Sequence, residues 1–156
     1  MHFFSVILIK TLLFCFINSG LAVFCSKDGL RWNSHCLEYF SDADSFIGAE
    51  AECQKNGGNL VSINDKLTND AVAYLINYYT EEDPPIDIWV GGHLNTDGYW
   101  KWTDKTAFVY ANWNLTSKSE DKCMNYLMPS KLWDADGCDK EKPFICEITS
   151  NRKRMA

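Results

Sequence analysis

The sequence is poor in the residues that catalysis leans on. It holds three histidines in 156 residues, at positions 2, 35 and 93, and neither a G-x-S-x-G nor an H-E-x-x-H stretch. Their absence excludes nucleophile-elbow hydrolases and two-histidine zinc proteases. Basic residues are short as well: 15 Lys and Arg stand against 21 Asp and Glu, a net charge of −6. With no basic face to neutralise phosphates, a nucleic-acid partner is not expected. "NRKR" (151–154) is the one basic cluster, and it reads as part of a solvated tail over 149–156. After residue 22 there is no long apolar run, so no later segment is built to span a bilayer.

The first 22 residues stand apart. "FFSVILIKTLLFCFI" is an almost unbroken apolar run, and small residues follow in "NSGLA". The pattern predicts a secretory signal peptide over 1–22, cleaved after Ala22, with no membrane attachment afterwards. An uncleaved anchor is the competing reading. Lys10 interrupts the run, and a span needs about 20 apolar residues. Without the leader, Lys10 is gone and 14 basic residues face 21 acidic ones, a charge of −7.

Seven cysteines become six once Cys15 leaves: Cys25, Cys36, Cys53, Cys123, Cys138 and Cys146. An even count behind a leader implies disulfides in an oxidising, extracellular compartment. Six cysteines allow fifteen pairings. Local spacing favours one pair. Cys123 and Cys138 lie equally far from a turn centred on Ser130-Lys131, so a hairpin without a bulge faces them across its strands. Cys25 and Cys36 bracket the turn signals Asp28-Gly29 and Asn33-Ser34, which leaves Cys53 and Cys146. Oxidised cysteines offer no thiolate nucleophile.

Periodicity predicts two helices. In 45–58, Phe46, Ala49 and Cys53 share a face and Gly57-Gly58 stops the run. In 67–80, Val72, Leu75, Ile76 and Tyr79 recur at helical spacing. "LVSI" (60–63) reads as a strand, 81–85 as a loop, and short strands follow in "IDIWVGG", "YWKWT", "KCMNYLM", "KLWDA" and "PFICEI". Helices followed by antiparallel strands make an α+β domain. Residues 92–122 are polar and loop-like, but Trp100, Trp102, Phe108, Tyr110 and Trp113 punctuate them, as in loops that carry function.

"EDKCMNYLMPSKLWDADGC" (120–138) concentrates Glu120, Asp121, Asp134 and Asp136 at its two ends. These acids fit either a calcium cradle or the solvated rim of a hairpin. "DADG" (134–137) fails as an EF-hand loop: its glycine comes fourth instead of sixth, and Ile145 occupies the twelfth place. A carboxylate-pair hydrolase needs a desolvated acid, and these acids sit in polar, turn-rich sequence and read as solvated. His93 has no neighbouring ligand for zinc and reads as a lone loop histidine. Asn114-Leu115-Thr116 is an N-glycosylation sequon, with Trp113 expected to turn inward and Asn114 to face water.

From Cys25 to Ile148 the chain resembles the C-type lectin-like domain. The resemblance rests on "CLEYFSDADSFIGAEAECQKNGGNLVSI" (36–63), "WVGG" (89–92), "YWKWTDKTAFVYANW" (99–113), "EDKC" (120–123), "LWDADGC" (132–138) and "PFICE" (143–147), in that order. It implies one domain over 23–148, with two helices, two small antiparallel sheets and a long loop region. It also implies the long-form disulfides Cys25–Cys36, Cys53–Cys146 and Cys123–Cys138, and it places Trp89, Trp102, Trp113 and Trp133 in the core. The implied function is recognition of a glycan or an extracellular protein, not catalysis.

Sugar-binding members of that family hold calcium in the long loop through a Glu-Pro-Asn or Gln-Pro-Asp tripeptide, an acid before the fifth cysteine, and a Trp-Asn-Asp motif. The matching positions here read Ser117-Lys118-Ser119, Glu120 or Asp121, and Trp133-Asp134-Ala135. That leaves Asp134 and one of Glu120 or Asp121 as residual ligands, where calcium takes six to eight oxygens. The sequence therefore favours a secreted recognition module without the long-loop calcium. A calcium-dependent lectin is the alternative, and a small carboxylate hydrolase is a distant third.

Overall fold

The computed structural model describes residues 23, 25–80, 87–114 and 122–149. The leader 1–22, the 81–85 loop, Ser117-Lys118-Ser119, Glu120, Asp121 and nearly all of the basic tail lie outside the described residues.

Among the described residues two helices pack on eight strands, so the class is α+β. Helix α1 spans Phe46–Lys55. The Ser45 hydroxyl caps its start by accepting the Gly48 N–H at 3.2 Å. Gly57, at φ 91°, ends it in the left-handed conformation that glycine enters without cost. Phe46, Ala49 and Cys53 form its buried face. Helix α2 spans Lys66–Thr80, and an Asp65 carboxylate oxygen accepts the Thr68 N–H at 2.7 Å at its entry. Val72, Leu75 and Ile76 are buried, while Tyr79 is only half-buried and stacks on Tyr39.

The strands are β1 (Leu30–Trp32), β2 (His35–Asp44), β3 (Gly58–Leu60), β4 (Asp87–Leu94), β5 (Trp100–Trp102), β6 (Cys123–Leu127), β7 (Trp133–Asp136) and β8 (Lys142–Ile148). One antiparallel group holds β1, β2, β8 and β3. The other holds β5, β4, β6 and β7. A parallel pairing of β4 with β8, at Trp89 and Phe144, joins the two expected sheets into one. The strand read over 60–63 lies instead at Gly58–Leu60, sharing only Leu60 with the expected one. There the backbone runs so close to β8 that an added Cβ would sit 2.0 Å from the Glu147 carbonyl oxygen.

Disulfides join Cys25 to Cys36, Cys53 to Cys146 and Cys123 to Cys138, with Cα separations of 5.2 to 5.3 Å. Cys53–Cys146 ties α1 to β8 across 93 residues of chain. The register of the β6–β7 hairpin differs from the symmetric turn read from the sequence. Tyr126 pairs with Trp133 and Cys123 with Asp136, so Cys138 lies beyond the strand end and does not face Cys123. The turn is centred one residue earlier than expected, because Lys131, at φ 63°, folds back to donate its N–H to the Leu127 carbonyl. A one-residue shift of the centre moves the pairing by two.

Trp133 is fully buried and sits at the centre of an aromatic cluster. Trp102, Tyr110, Trp113 and Phe108 meet its ring edge-on at 5.6, 5.4, 5.9 and 6.1 Å. Its indole N–H donates to the Asn69 side-chain oxygen at 2.8 Å, and the Asn69 amide donates to the Lys131 carbonyl at 3.1 Å. The Tyr126 hydroxyl donates to the Asn69 backbone carbonyl at 2.9 Å, and burial pushes its pKa up, so it remains a donor. One buried asparagine on α2 thus holds both the hairpin and the cluster. Replacing Asn69 with Leu leaves the Trp133 N–H without its acceptor, and we expect a loss of about 2 to 3 kcal/mol in urea unfolding. An unchanged midpoint would show that this asparagine does not hold the hairpin.

Candidate functional site

The acidic hairpin is the leading candidate in the sequence, but its two described acids, Asp134 and Asp136, are half-buried instead of the solvated rim expected there. Asp136, on β7, is held by two lysines: Lys140 at 2.6 Å and Lys142 at 2.9 Å. Lys142, at the start of β8, is 6% exposed. It also pairs with Asp87 of β4 and lies 5.0 Å from the centre of the Trp89 ring. The same Asp87 carboxylate oxygen accepts a hydrogen bond from the Asn125 amide of β6 at 3.1 Å. Four strands therefore converge on one buried ammonium.

The electrostatics follow from this packing. Burial pushes the Asp136 carboxyl up. The hydrogen bonds from Lys140, Lys142 and the Gly137 N–H outweigh it and bring the pKa down to about 2. Asp136 thus stays ionised and neutralises a buried cation, a structural role that no local sequence pattern announces.

The calcium-ligand positions hold few free oxygens. Asp134 is half-buried on β7, and one of its carboxylate oxygens accepts the Ala135 N–H at 2.9 Å. Ala135 has no side-chain oxygen. Asp136 is committed to the lysines, and the remaining acids read from the sequence, Glu120 and Asp121, lie outside the described residues. Among the described residues no three carboxylate, imidazole or thiol groups converge in a way that would hold a metal. The described donor set does not fit calcium, which wants six to eight oxygens.

His93 is on β4 instead of a loop, with its ring 6.5 Å from Phe46 and its Nδ1 buried without a partner. Trp89, Trp102 and Trp133 are fully buried, whereas Trp113 is only half-buried and leans on Trp100 at 4.7 Å. Asn114 is half-buried too, and its backbone N–H donates to the Trp133 carbonyl at 2.7 Å, so it faces water less fully than expected. Of the loop aromatics, Trp100, Phe108, Tyr110 and Trp113 all pack against the core. Among the described loop residues, Tyr99 and Val109 are the large apolar side chains left open to solvent.

The Lectin C-type domain family matches residues 42–148. The chain belongs to this family. It is 29% identical over 129 residues to regenerating islet-derived protein 4 of Mus musculus, covering 79% of this chain and 80% of that one. Human lithostathine superposes with a TM-score of 0.75 at 22% identity, over 83% of this chain and 94% of the other, a likeness of fold. A calcium-independent type II antifreeze protein superposes with a TM-score of 0.69 at 26% identity, over 81% and 95%.

Two further sites leave little trace in the sequence because each draws on distant segments. Lys27, Asp28, Leu30, Tyr74 and Tyr78 line a pocket of about 230 Å³ beside α2, where Tyr74 and Tyr78 are exposed and stack at 6.4 Å. A second, polar pocket of about 240 Å³ opens between Trp32, the start of α2, the segment after β5 and the end of β8. Helical spacing of Tyr74 and Tyr78 is a usable signal for the first; the second has none.

Lys142→Met removes the cation shared by Asp87 and Asp136, and we expect a loss of about 3 to 5 kcal/mol in denaturant unfolding. Because the folded-state pKa of Asp136 is depressed, its share of stability is present above the ordinary value of 3.8 and is lost as pH falls through about 2. In the variant that acid limb moves to higher pH in melting curves between pH 2 and 6. Superimposable melting curves for the two proteins would refute the pairing.

Proposed function

We propose that the chain is a secreted, single-domain recognition module that binds a glycan or an extracellular protein without calcium in its long loop, and that it is not an enzyme. On this reading residues 1–22 are the leader, 23–148 the domain and 149–156 a short tail, and Asn114 carries an N-glycan. The observation that carries the reading is the state of the hairpin. Where sugar-binding relatives present adjacent oxygen ligands, this chain has Asp134 followed by Ala135, and the next acid is bound by two lysines. Ser117-Lys118-Ser119 adds a cation and no carboxylate to the same loop. Any calcium there would be coordinated mostly by water, and extracellular calcium modules with full ligand sets already bind at only about 10⁻⁴ to 10⁻³ M. The calcium-independent antifreeze protein is a precedent for a fold of this kind working without the ion.

A glycan array probed with the purified protein, in millimolar calcium and again in EDTA, tests the reading. We expect the same pattern of bound glycans, or of bound protein ligand in a parallel pull-down, under both conditions. The melting temperature should be equally indifferent to EDTA. Binding that disappears in EDTA and returns with calcium would establish the calcium-dependent lectin instead.

A further inference from the structure

Helix α2 is apolar on both sides. Val72, Leu75 and Ile76 face the core. Leu67, Tyr74 and Tyr78, at i, i+7 and i+11, return to the opposite side and are 68%, 60% and 62% exposed. A surface helix normally carries polar groups there, and a helix that is apolar all round is one that is covered all round. Of the six large apolar side chains exposed among the described residues, three lie on this one stripe. Single exposed apolar residues are ordinary, but a contiguous row marks an interaction surface.

The stripe is ordered before anything covers it. Tyr74 stacks on Tyr78 with ring centres 6.4 Å apart, Tyr78 meets Tyr79 edge-on at 5.0 Å, and the Tyr79 hydroxyl donates to the Asp28 backbone carbonyl. Rings held in this way lose little freedom on association. Beside them lies the pocket of about 230 Å³ lined by Lys27, Asp28, Leu30, Tyr74 and Tyr78. A cavity of about 150 Å³ already admits a benzene-sized group, so this one has room for an aliphatic side chain.

The spacing selects the occupant. Ala71, between Leu67 and Tyr74 along the helix, is small and buried, so it makes a dip in the row. Turned antiparallel about a twofold axis between Val72 and Ala73, the row meets its own complement. Leu67 then faces Tyr78 of a second copy, with the pocket beside it, and Tyr74 faces the dip at Ala71. An interface between identical copies requires this self-complementarity. The charges agree with it. Lys66 and Lys131 reach Asp70 at 2.5 and 3.4 Å, and Lys27 and Asp28 border the pocket, so three lysines and two aspartates surround the stripe among the described residues. On a chain of net charge −6, this is a face where two copies meet without like-charge repulsion, and it offers no single-signed field to draw a strongly charged partner.

We propose that the exposed face of α2 is a self-association surface, on which a second copy of this chain packs its own α2 antiparallel and each Leu67 seats in the pocket beside the other copy's Tyr78. The inference goes beyond the ligand reading above and does not depend on it. A dimer doubles whatever recognition site the domain carries. Two helices make a small interface, so the dimer is weak, with a Kd on the order of 10⁻⁵ to 10⁻⁴ M.

Sedimentation velocity of the purified full chain, from about 1 μM to about 1 mM, tests the proposal. The mass should rise from one chain towards two across that range. Leu67→Lys and Tyr78→Glu should each give a monomer at every concentration, and Tyr74→Ser should weaken the dimer at least about tenfold. Ile47→Lys, on α1 and also exposed, should change nothing. Unchanged melting temperatures show that the variants fold, and Tyr74→Ser decides if a charged variant does not. Mixing Leu67→Lys with Tyr78→Glu in equal amounts should restore a dimer, because the antiparallel register brings the two substituted side chains together. A monomer at all concentrations would overturn the proposal. A dimer that survives the substitutions on the stripe would overturn it as well, and so would a mixture that stays monomeric.

Discussion

The structure depends on one buried charge. Lys142 lies beneath the β6–β7 hairpin with Asp87 on one side, Asp136 on the other and the Trp89 ring within 5.0 Å. An ammonium in that position is tolerable only because two carboxylates face it. It joins β4, β7 and β8, which belong to different antiparallel groups, at the place where a single parallel pairing connects them. The Cys123–Cys138 bridge and the bond from the Phe46 N–H to the Cys138 carbonyl close the same corner covalently and through the backbone. Of the acids that made the hairpin look like a metal cradle, Asp136 is thus spent on holding it together.

The long loop behaves in a related way. Its aromatics turn inward onto Trp133, which Asn69 fixes from the helix side. A loop built to display aromatic side chains would leave them exposed; this one exposes Tyr99 and Val109 among its described residues. Recognition by this domain is therefore sought elsewhere, and the two pockets beside α2 and the end of β8 are concave places among the described residues. The fold is shared with proteins of varied names, and function has to be argued from such sites instead of from the scaffold.

Much of the fold was legible because its signals are local. The 3.6-residue spacing of Phe46, Ala49 and Cys53, or of Val72, Leu75 and Ile76, depends on neighbours within one helix. The ten-residue β2 carries no such signal, since "HCLEYFSDAD" mixes buried Cys36 and Leu37 with a polar, solvent-facing end and lacks clean alternation. Hairpin register slipped because it hung on the conformation of Lys131, which no residue preference for lysine foretells. The pairing of Lys142 with Asp87 crosses 55 residues, and the polar pocket gathers Trp32, Ser62, Asp104 and Glu147 from four parts of the chain. Such sites are products of topology, and a one-dimensional pattern carries no trace of them.

The claim at the centre is that Asp136 serves a lysine and that the hairpin holds no metal. Isothermal titration of the folded chain with calcium tests it most directly. The account predicts no saturable heat up to millimolar calcium, for the native protein and for Asp134→Ala alike. Stoichiometric uptake of one ion at or below about 10⁻³ M, abolished by Asp134→Ala, would contradict it.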